Sequence, residues 1–502
     1  MCNHEWKIYD APPSASSMIE SLRGLGYSPA TALADLIDNS ISAGSSKVDL
    51  TFFWKGEHQY IAVKDNGCGM TSDELFNAMR LGYLDPLSKR SKKDLGRFGL
   101  GLKTASFSQC RCLTVLSKKK GHEPCSLRWD LDYLAADTQS RWQILEEPGK
   151  EAANLLPVFG EMEQGTLVVW EKLDRIITAG FSIDDFLELT DSVESHLALT
   201  FHRFMRGERP EIVLTINGQK IKARDPFMQN HAATMSTPED YVQTAGGKIC
   251  LQGFVLPHKD MLSSQDIREM GDPANWTEHQ GFYVYRNSRL LVAGSWLGLG
   301  RGRRWSKEEA YKLARIRVDI PNTADSDWKL DIIKSLASPP ASVRKRLLLF
   351  AEGIRKRARH VFAYRGEYKK RSLGGGEVEN IWEVCHGKNE VRYHISRKHP
   401  AVESLLSADS RIRKSVEALL VLIENTVPVQ RIWLDAAEGK DAPRRMTHDS
   451  SPSDEMKEIL LTIYKNKLMR GNCTPDEVKR QLLLSEPFSE FPELIANLPD
   501  TI

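Results

Sequence analysis

An α+β fold that opens with an α/β sandwich, its helices covering one side of a mixed sheet, is what the sequence predicts. Three observations carry that expectation. Helix-period and strand-period segments alternate irregularly over residues 30–172, without regular βαβ winding. A two-strand signal around Asn217-Gly218 is followed by further strand segments as far as Ile320. Beyond Ala341 the pattern is mainly helical. With 502 residues, 41% of them hydrophobic and 27% charged, the chain has room for about three folded units. That balance excludes a largely disordered, collagenous or small disulfide-stapled protein.

The elements follow in order. Residues 11–17 (APPSASS) punctuate a short, partly apolar arm. Leu33, Ile37 and Ile41 repeat every four residues with Leu36 beside them, predicting a helix over 30–41 begun at Ser28-Pro29. Val48–Trp54 and Tyr60–Val63 read as strands, and the second runs into the turn Asp65-Asn-Gly-Cys-Gly-Met70. Glu74–Leu81 is helical, and a polar stretch leads to Gly96-Arg-Phe-Gly-Leu-Gly-Leu-Lys103, which opens another helix. Arg111–Ser117 and Gly165–Trp170 are further strands. A second unit is expected to begin near Gly207, with strands Glu211–Ile216 and Gln219–Ile221 forming a hairpin. Strands Lys248–Val255, Gly281–Tyr285, Arg289–Val292 and Leu313–Ile320 continue it. Lys329–Leu336 is helix-like and stops before Pro339-Pro340; Ala341–Ala363 reads as one long basic helix. After Gly374-Gly-Gly, helices are expected at Arg413–Glu424, Met456–Lys467 and Pro475–Leu484. The expected boundaries are an arm over 1–17, domains over 18–200 and 201–340, a basic helical arm over 341–373 and a last region over 374–502.

Lys+Arg 69 against Asp+Glu 67 leaves a net charge of +2, so any nucleic-acid surface must be a local patch. No stretch approaches the ~18 consecutive apolar residues that span a bilayer, and the opening Met1-Cys-Asn-His-Glu-Trp-Lys7 has no secretory apolar core. The 8 Cys are scattered, with Cys110 and Cys112 the only close pair, so a reducing, cytoplasmic location is expected.

Four segments carry chemistry. In Asp35-Leu-Ile-Asp-Asn-Ser-Ile-Ser-Ala-Gly44, helical spacing puts Asp35, Asp38, Asn39 and Ser42 on one face. An Asn oxygen can coordinate magnesium, and a carboxylate at the same edge can position or deprotonate water. A plain wet helix face is the competing reading. In Asp65-x-Gly67-x-Gly69, glycines let backbone approach a planar ring, and the carboxylate can accept from an exocyclic amine, favouring adenine over guanine. A simple turn fits as well. The glycines of Gly96–Lys103 lead into a helix and make an anion cradle, although their spacing is not that of a P-loop. The polar stretch before them suits a lid. Gly165-Thr166 offers a hydroxyl that could bridge Asp65, or a water, to a base; strand propensity alone also explains a Thr there.

The order DxxxN, DxGxG, GRFGLGLK, GT across about 130 residues resembles the GHKL nucleotide-binding superfamily of DNA gyrase, MutL, ninety-kilodalton heat-shock chaperones, sensor histidine kinases and MORC proteins. Its appearance is most similar to MORC-like prokaryotic ATPases. The resemblance implies a Bergerat-type ATP-binding sandwich followed by a ribosomal-S5-like transducer domain. It implies that Asn39 holds Mg2+, that Asp65 reads adenine with Gly67 and Gly69 behind the base, and that Gly96, Gly99 and Gly101 form the phosphate lid. Thr166 is the late hydroxyl, and Met70, Arg97, Phe98, Leu100 and Lys103 are further candidate contacts. Segments Phe201-His-Arg-Phe204, Asp225-Pro-Phe227 and Gly281–Leu290 look like the transducer, from which Lys334, or alternatively Lys329, would reach the γ-phosphate. Relatives that hydrolyse ATP usually have Glu where this chain has Asp35. Asp is roughly 1.5 Å shorter in reach, and a catalytic group misplaced by ~1 Å can cost ~10²-fold. Slow turnover is therefore expected. The resemblance also implies an ATP-dependent homodimer, with Trp6–Ala15 as a candidate exchanged arm.

Two basic stretches suggest what the ATP is for. Arg301, Arg303, Arg304 and Lys307 lie in a Gly-rich segment with Trp296 and Trp305. From Arg344 to Arg371 there are eleven Lys/Arg against two Glu. Arg344, Lys345 and Arg346, then Arg355, Lys356, Arg357 and Arg359, recur about every eleven residues, which on a helix makes one stripe suited to double-stranded DNA. The expected function is a nucleotide-gated clamp or remodeller of DNA, in DNA processing or phage defence. The alternative is a chaperone-like ATP-dependent scaffold with a protein partner recruited through the C-terminal region. A metal cluster of Cys385, His386, His394 and His399 matches no common spacing.

Overall fold

The computed structural model describes residue 9 and residues 13–56, 58–83, 101–139, 141–207, 210–244, 246–271, 273–324, 327–328, 338–363, 380–386, 391–407, 410–428, 454–469, 474–485 and 487–499. Lys329, Lys334 and the lid residues Gly96, Arg97, Phe98, Gly99 and Leu100 lie outside them. The chain divides into two compact units, residues 1–363 and 364–502.

Unit one begins with helices α1 (Ala15–Leu22) and α2 (Pro29–Ser42), strands β1 (Lys47–Lys55) and β2 (His58–Asp65), and helices α3 (Ser72–Met79) and α4 (Gly101–Phe107). Strands β3 (Cys112–Lys118) and β4 (Cys125–Asp130), helices α5 (Leu131–Ala136) and α6 (Lys150–Gly160), strand β5 (Gly165–Glu171) and helix α7 (Ile183–Thr200) follow. Their sheet runs β4-β3-β5-β2-β1 and is completed by β6 (Val213–Ile216) and β7 (Gln219–Lys220). β1 and β6 are parallel; the other neighbours are antiparallel. Thus the Asn217-Gly218 hairpin, expected to open the second unit, closes the edge of the first sheet. Main-chain pairing to β1 decides this, and the Asn217 side chain adds bonds to both the Phe52 N–H and carbonyl.

Alternation along the strands divides the sheet's two faces. One carries Leu50, Val63, Val115 and Trp170 against Leu33, Ile37, Phe107 and Leu197 of α2, α4 and α7. The other is not bare, as a one-sided sandwich would require. Ala152 and Phe159 of α6 pack there on Tyr60, Ala62, Leu116, Leu167 and Val169.

The second sheet of unit one contains β8 (Met235–Ser236), β9 (Asp240–Thr244) and β10 (Gly247–Val255), then, after α8 (Ser264–Met270), β11 (Gly281–Arg286), β12 (Arg289–Ser295) and β13 (Ala314–Ile320). Its order is β12-β11-β13-β10-β8, with β9 also on β10 and β11 parallel to β13. Helix α9 (Ala341–Ala363) lays Val343, Leu347, Ala351, Ile354, Ala358 and Val361 on this sheet. The approach is close enough that a Cβ at Gly253 would lie 2.1 Å from Ile354 Cδ1. The basic helix is therefore a packed layer of the second sheet, and not a separate arm, because its apolar stripe outweighs its charge as a packing signal.

In the second unit, β14 (Trp382–His386) and β15 (Val391–Ile395) form a hairpin beside α10 (Pro400–Leu406) and α11 (Ser410–Thr426). Glu424 of α11 accepts the Ile395 N–H at 2.8 Å and an Arg397 N–H at 2.6 Å. Helices Asp454–Met469, Pro475–Leu483 and Pro492–Ala496 enclose Leu460, Tyr464, Val478, Leu482 and Ile495. Among the described residues no helix is long and apolar enough to cross a membrane.

Candidate functional site

Helix α2 is started by a capping box. The Ser28 hydroxyl accepts the Thr31 N–H, Thr31 returns the bond to the Ser28 N–H, and Pro29 takes the first turn. With Ala32, Leu33, Leu36 and Ile37 in the core, the polar residues fall into three environments. Asp35 is buried at 4% exposure, and its Oδ2 accepts the Tyr27 hydroxyl at 2.9 Å. Asp38 is buried at 2%, whereas Asn39 is exposed. The start of α4 comes to the same place, since a Cβ at Gly101 would sit 3.7 Å from Asp35 Oδ2. Two sequence motifs separated by some sixty residues thus meet.

Asp65 ends β2, in register with Thr166 on β5, and Thr166 is in register with Ser117 on β3. The Asp65 carboxylate accepts the Gly67 N–H at 2.8 Å and the Ser40 hydroxyl of α2 at 2.8 Å. Burial pushes this carboxyl above the usual range; the Gly67 N–H, the Ser40 hydroxyl and the Thr166 backbone oppose that shift. Ser117 Oγ accepts the Met70 N–H at 2.9 Å and lies 3.1 Å from Thr166 Oγ1. The turn between them requires its glycines. A Cβ at Gly67 would approach Ala43 Cβ to 2.8 Å, and Gly69, at φ +63°, would meet the Lys118 carbonyl at 1.9 Å. Asp65, Gly67, Met70, Ser117 and Thr166 are therefore one hydrogen-bonded assembly at the ends of three strands, with Gly69 close against Lys118, and Ser40 ties it to α2.

Other candidates are placed differently. Lys103 is 3% exposed, and its ammonium donates to the Ala78 carbonyl at 2.8 Å and the Arg80 carbonyl at 3.0 Å. It closes the C-terminal end of α3, where carbonyls lack helical partners, instead of standing open toward a phosphate. Burial lowers its pKa to about 8. Asp38 is held by Arg289 of β12, whose Nε lies 3.2 Å from Oδ2.

The basic candidates do not all share one environment. Arg355 is buried at 7%, with its guanidinium 4.7 Å from the Trp296 ring, 4.4 Å from Trp305 and 3.7 Å from Tyr311. Three aromatic faces desolvate it, which corrects its assignment to a solvent-facing DNA surface. Arg301 pairs with Glu352 at 2.7 Å, Arg346 with Asp240 at 3.1 Å, and Arg344 donates to the Gly298 carbonyl at 2.7 Å. Arg303, Arg304, Lys345, Lys356, Arg357 and Arg359 are exposed.

Tyr27, Ser40, Ser117 and Arg289 escaped the sequence reading as site residues. Ser40 lies inside the first motif and Tyr27 shortly before it, so their position was a usable signal. Ser117 and Arg289 reach the site only through strand register and the docking of the second sheet.

The donor set suits a hydrated magnesium ion. Among the described residues no three His, Cys, Asp or Glu side chains gather as a metal cage. Mg2+ needs none, because it keeps waters and takes phosphate oxygens beside one or two protein oxygens; the exposed Asn39 offers such an oxygen on α2.

Residues 27–166 match the family described as histidine kinase-, DNA gyrase B-, and HSP90-like ATPase. The protein named ATPase morc-1 of Caenorhabditis elegans is 31% identical over 93 residues, 18% of this chain and 10% of that protein. DNA mismatch repair protein MutL of Shewanella baltica (strain OS195) is 27% identical over 274 residues, 52% of this chain and 38% of that one. MutL of Paramagnetospirillum magneticum (strain ATCC 700264 / AMB-1) is 34% identical over 199 residues, 38% of this chain and 28% of its own. The chain thus spans between 10% and 38% of the length of these relatives.

Proposed function

We propose, from the match of residues 27–166 to the histidine kinase-, DNA gyrase B-, and HSP90-like ATPase family, that this chain binds ATP with Mg2+, hydrolyses it slowly, and uses the nucleotide to close a homodimer on double-stranded DNA. The observation that carries the reading is the convergence of Asp65, Gly67 and Thr166 with the α2 face that bears Asp35 and Asn39, joined through the Ser40–Asp65 hydrogen bond.

Each residue has a role that its surroundings support. Asp65, with its orientation fixed by Gly67 and Ser40, accepts the adenine amine, and Thr166 and Ser117 supply hydroxyls beside it. Asn39 and the nucleotide phosphates hold Mg2+, which supplies charge neutralisation on the phosphates. Asp35 orients the attacking water and takes its proton, and the Tyr27 hydroxyl fixes the carboxylate rotamer. The lid over 96–101 and Lys334 of an S5-like transducer complete the phosphate contacts. DNA is held by Arg303, Arg304, Lys345, Lys356, Arg357 and Arg359, all exposed. The names of the relatives, an ATPase and DNA mismatch repair proteins, support a DNA-processing role, and phage defence is a setting in which such a clamp would serve.

Nucleotide titration with and without Mg2+, followed by gel filtration with a non-hydrolysable ATP analogue, tests the reading. ATP binding with a shift to twice the mass is expected; unchanged mobility overturns nucleotide-gated closure. A salt series on duplex DNA should show steeply falling affinity. If charge reversal at Lys356, Arg357 and Arg359 leaves DNA retention unchanged, the client is a protein.

A further inference from the structure

We propose that Arg289 is a positioning residue for the nucleotide chemistry: by holding Asp38 it sets the rotation of α2 that presents Asp35 and Asn39. This rests on the nucleotide reading above and adds to it a link from the second sheet.

Asp38 is adjacent to Asn39 and one turn from Asp35. At 3.6 residues per turn, Asp35 and Asn39 lie about 40° apart around the helix, and Asp38 is about 60° to one side of Asp35. A restraint on Asp38 therefore fixes the angle at which the other two side chains leave the helix. Arg289, 251 residues away in sequence, supplies it, with Nε 3.3 and 3.2 Å from the two carboxylate oxygens. Its own position is firm. It begins β12 directly after Asn287 and Ser288, both in the left-handed region at φ +47° and +67°, so a tight two-residue turn delivers it. The guanidinium also donates to the Leu290 carbonyl and lies 5.7 Å from the Phe201 ring of the segment after α7.

Both charges are almost out of water, Asp38 at 2% and Arg289 at 5% exposure. A buried pair of this kind is weak evidence for stability as such, but removal of one partner withdraws its compensation from the other buried charge. Such pairs are best understood as devices that select one geometry. Arg289 also borders a cleft of ≈ 610 Å³ lined by Thr31, His196, Thr200, Trp296 and Lys307. The β12 edge thus meets α2 across a partly open seam, and this ion pair is a charged tie across it.

The test compares Arg289→Met, Arg289→Lys and the isosteric Asp38→Asn with the full-length wild-type chain. Metal-free ATP affinity, kcat, KM and the Mg2+ concentration for half-maximal turnover are read for each. Affinity within about threefold of wild type is expected, because the adenine contacts at Asp65 are untouched. A fall in kcat of about 10- to 100-fold, a raised Mg2+ requirement and partial rescue by Arg289→Lys are expected with it. Folded variants with wild-type kcat and Mg2+ dependence overturn the proposal. A drop in melting temperature with unchanged kinetics does the same, since it leaves Arg289 with a structural role only. Wild-type protein that fails to bind ATP overturns the nucleotide reading itself, a separate result. If Arg289→Met does not fold, the Asp38→Asn comparison decides, because it removes the charge and keeps the shape.

Discussion

A buried carboxylate that accepts a backbone N–H on one oxygen and a hydroxyl on the other cannot turn, and Asp65 is in that position. Asp65→Asn retains an acceptor for the Gly67 N–H but presents an amide where an adenine amine would need an acceptor. ATP affinity should fall by at least 10-fold, the scale of one unsatisfied hydrogen bond in a closed site, with melting temperature nearly unchanged; calorimetric titration and a thermal melt check both. For Asp35→Asn, ATP affinity should hold while phosphate release falls about 10²-fold, the ordinary contribution of a general base. At this scale the sequence was informative where chemistry depends on residue type. Spacing singled out Asp35, Asn39 and Asp65 as candidates. Ser117 did not, because a serine in a strand has no signature until its register with Thr166 is known. Arg355 misled, since a cation in a basic run looks solvated until three aromatic rings are found around it.

Elements impose their own requirements. The turn after β2 passes so near β3 that Gly69→Ala would drive a Cβ into the Lys118 carbonyl at a positive φ. A stability loss of about 1–3 kcal/mol is expected, with weakened nucleotide binding, both read by denaturant titration of the substituted chain with and without ATP. The Gly-rich segment that carries Trp296 and Trp305 is tied to α9 by Arg355. Arg355→Ala should cost about 2 kcal/mol, the scale of a desolvated cation–π contact, and should expose the segment around Arg301–Arg304 to limited proteolysis. Unchanged cleavage would show that the cage does not restrain it. The apolar period of α9 was legible in Val343, Leu347, Ala351 and Ile354. Its packing partner was not, because the same stripe could have met any apolar sheet.

In the whole molecule, acid should act on the region where α7 and its following segment meet the second sheet. Burial and neighbouring Arg charges lower His196, His202 and His279 to about 4 from an ordinary value of 6.5. The folded chain therefore favours the neutral imidazoles. The stability they contribute is complete above pH 6.5 and is lost as pH falls from 6.5 through about 4, by at most about 1.4 kcal/mol per pH unit for each of His196 and His202 and by less for the half-buried His279, whose charge solvent screens. Asp65 and Glu171, raised by burial, act in the opposite direction and soften the loss. The melting temperature should fall across this window, and His202→Gln should flatten the fall if His202 carries its share.

The sequence by itself determined the strand–helix alternation around the first sheet, the glycine turn after Asp65 and the residue types of the candidate site. Periodicity and chemical type are local properties, legible in a window of a few residues. The tertiary structure alone decided that the Asn217-Gly218 hairpin completes the first sheet, that α6 covers its far face, that Arg355 is caged and that Arg289 reaches Asp38. Each of these depends on a contact between segments distant in the chain, and such contacts are chosen by the fit of whole surfaces, which no short stretch of sequence encodes.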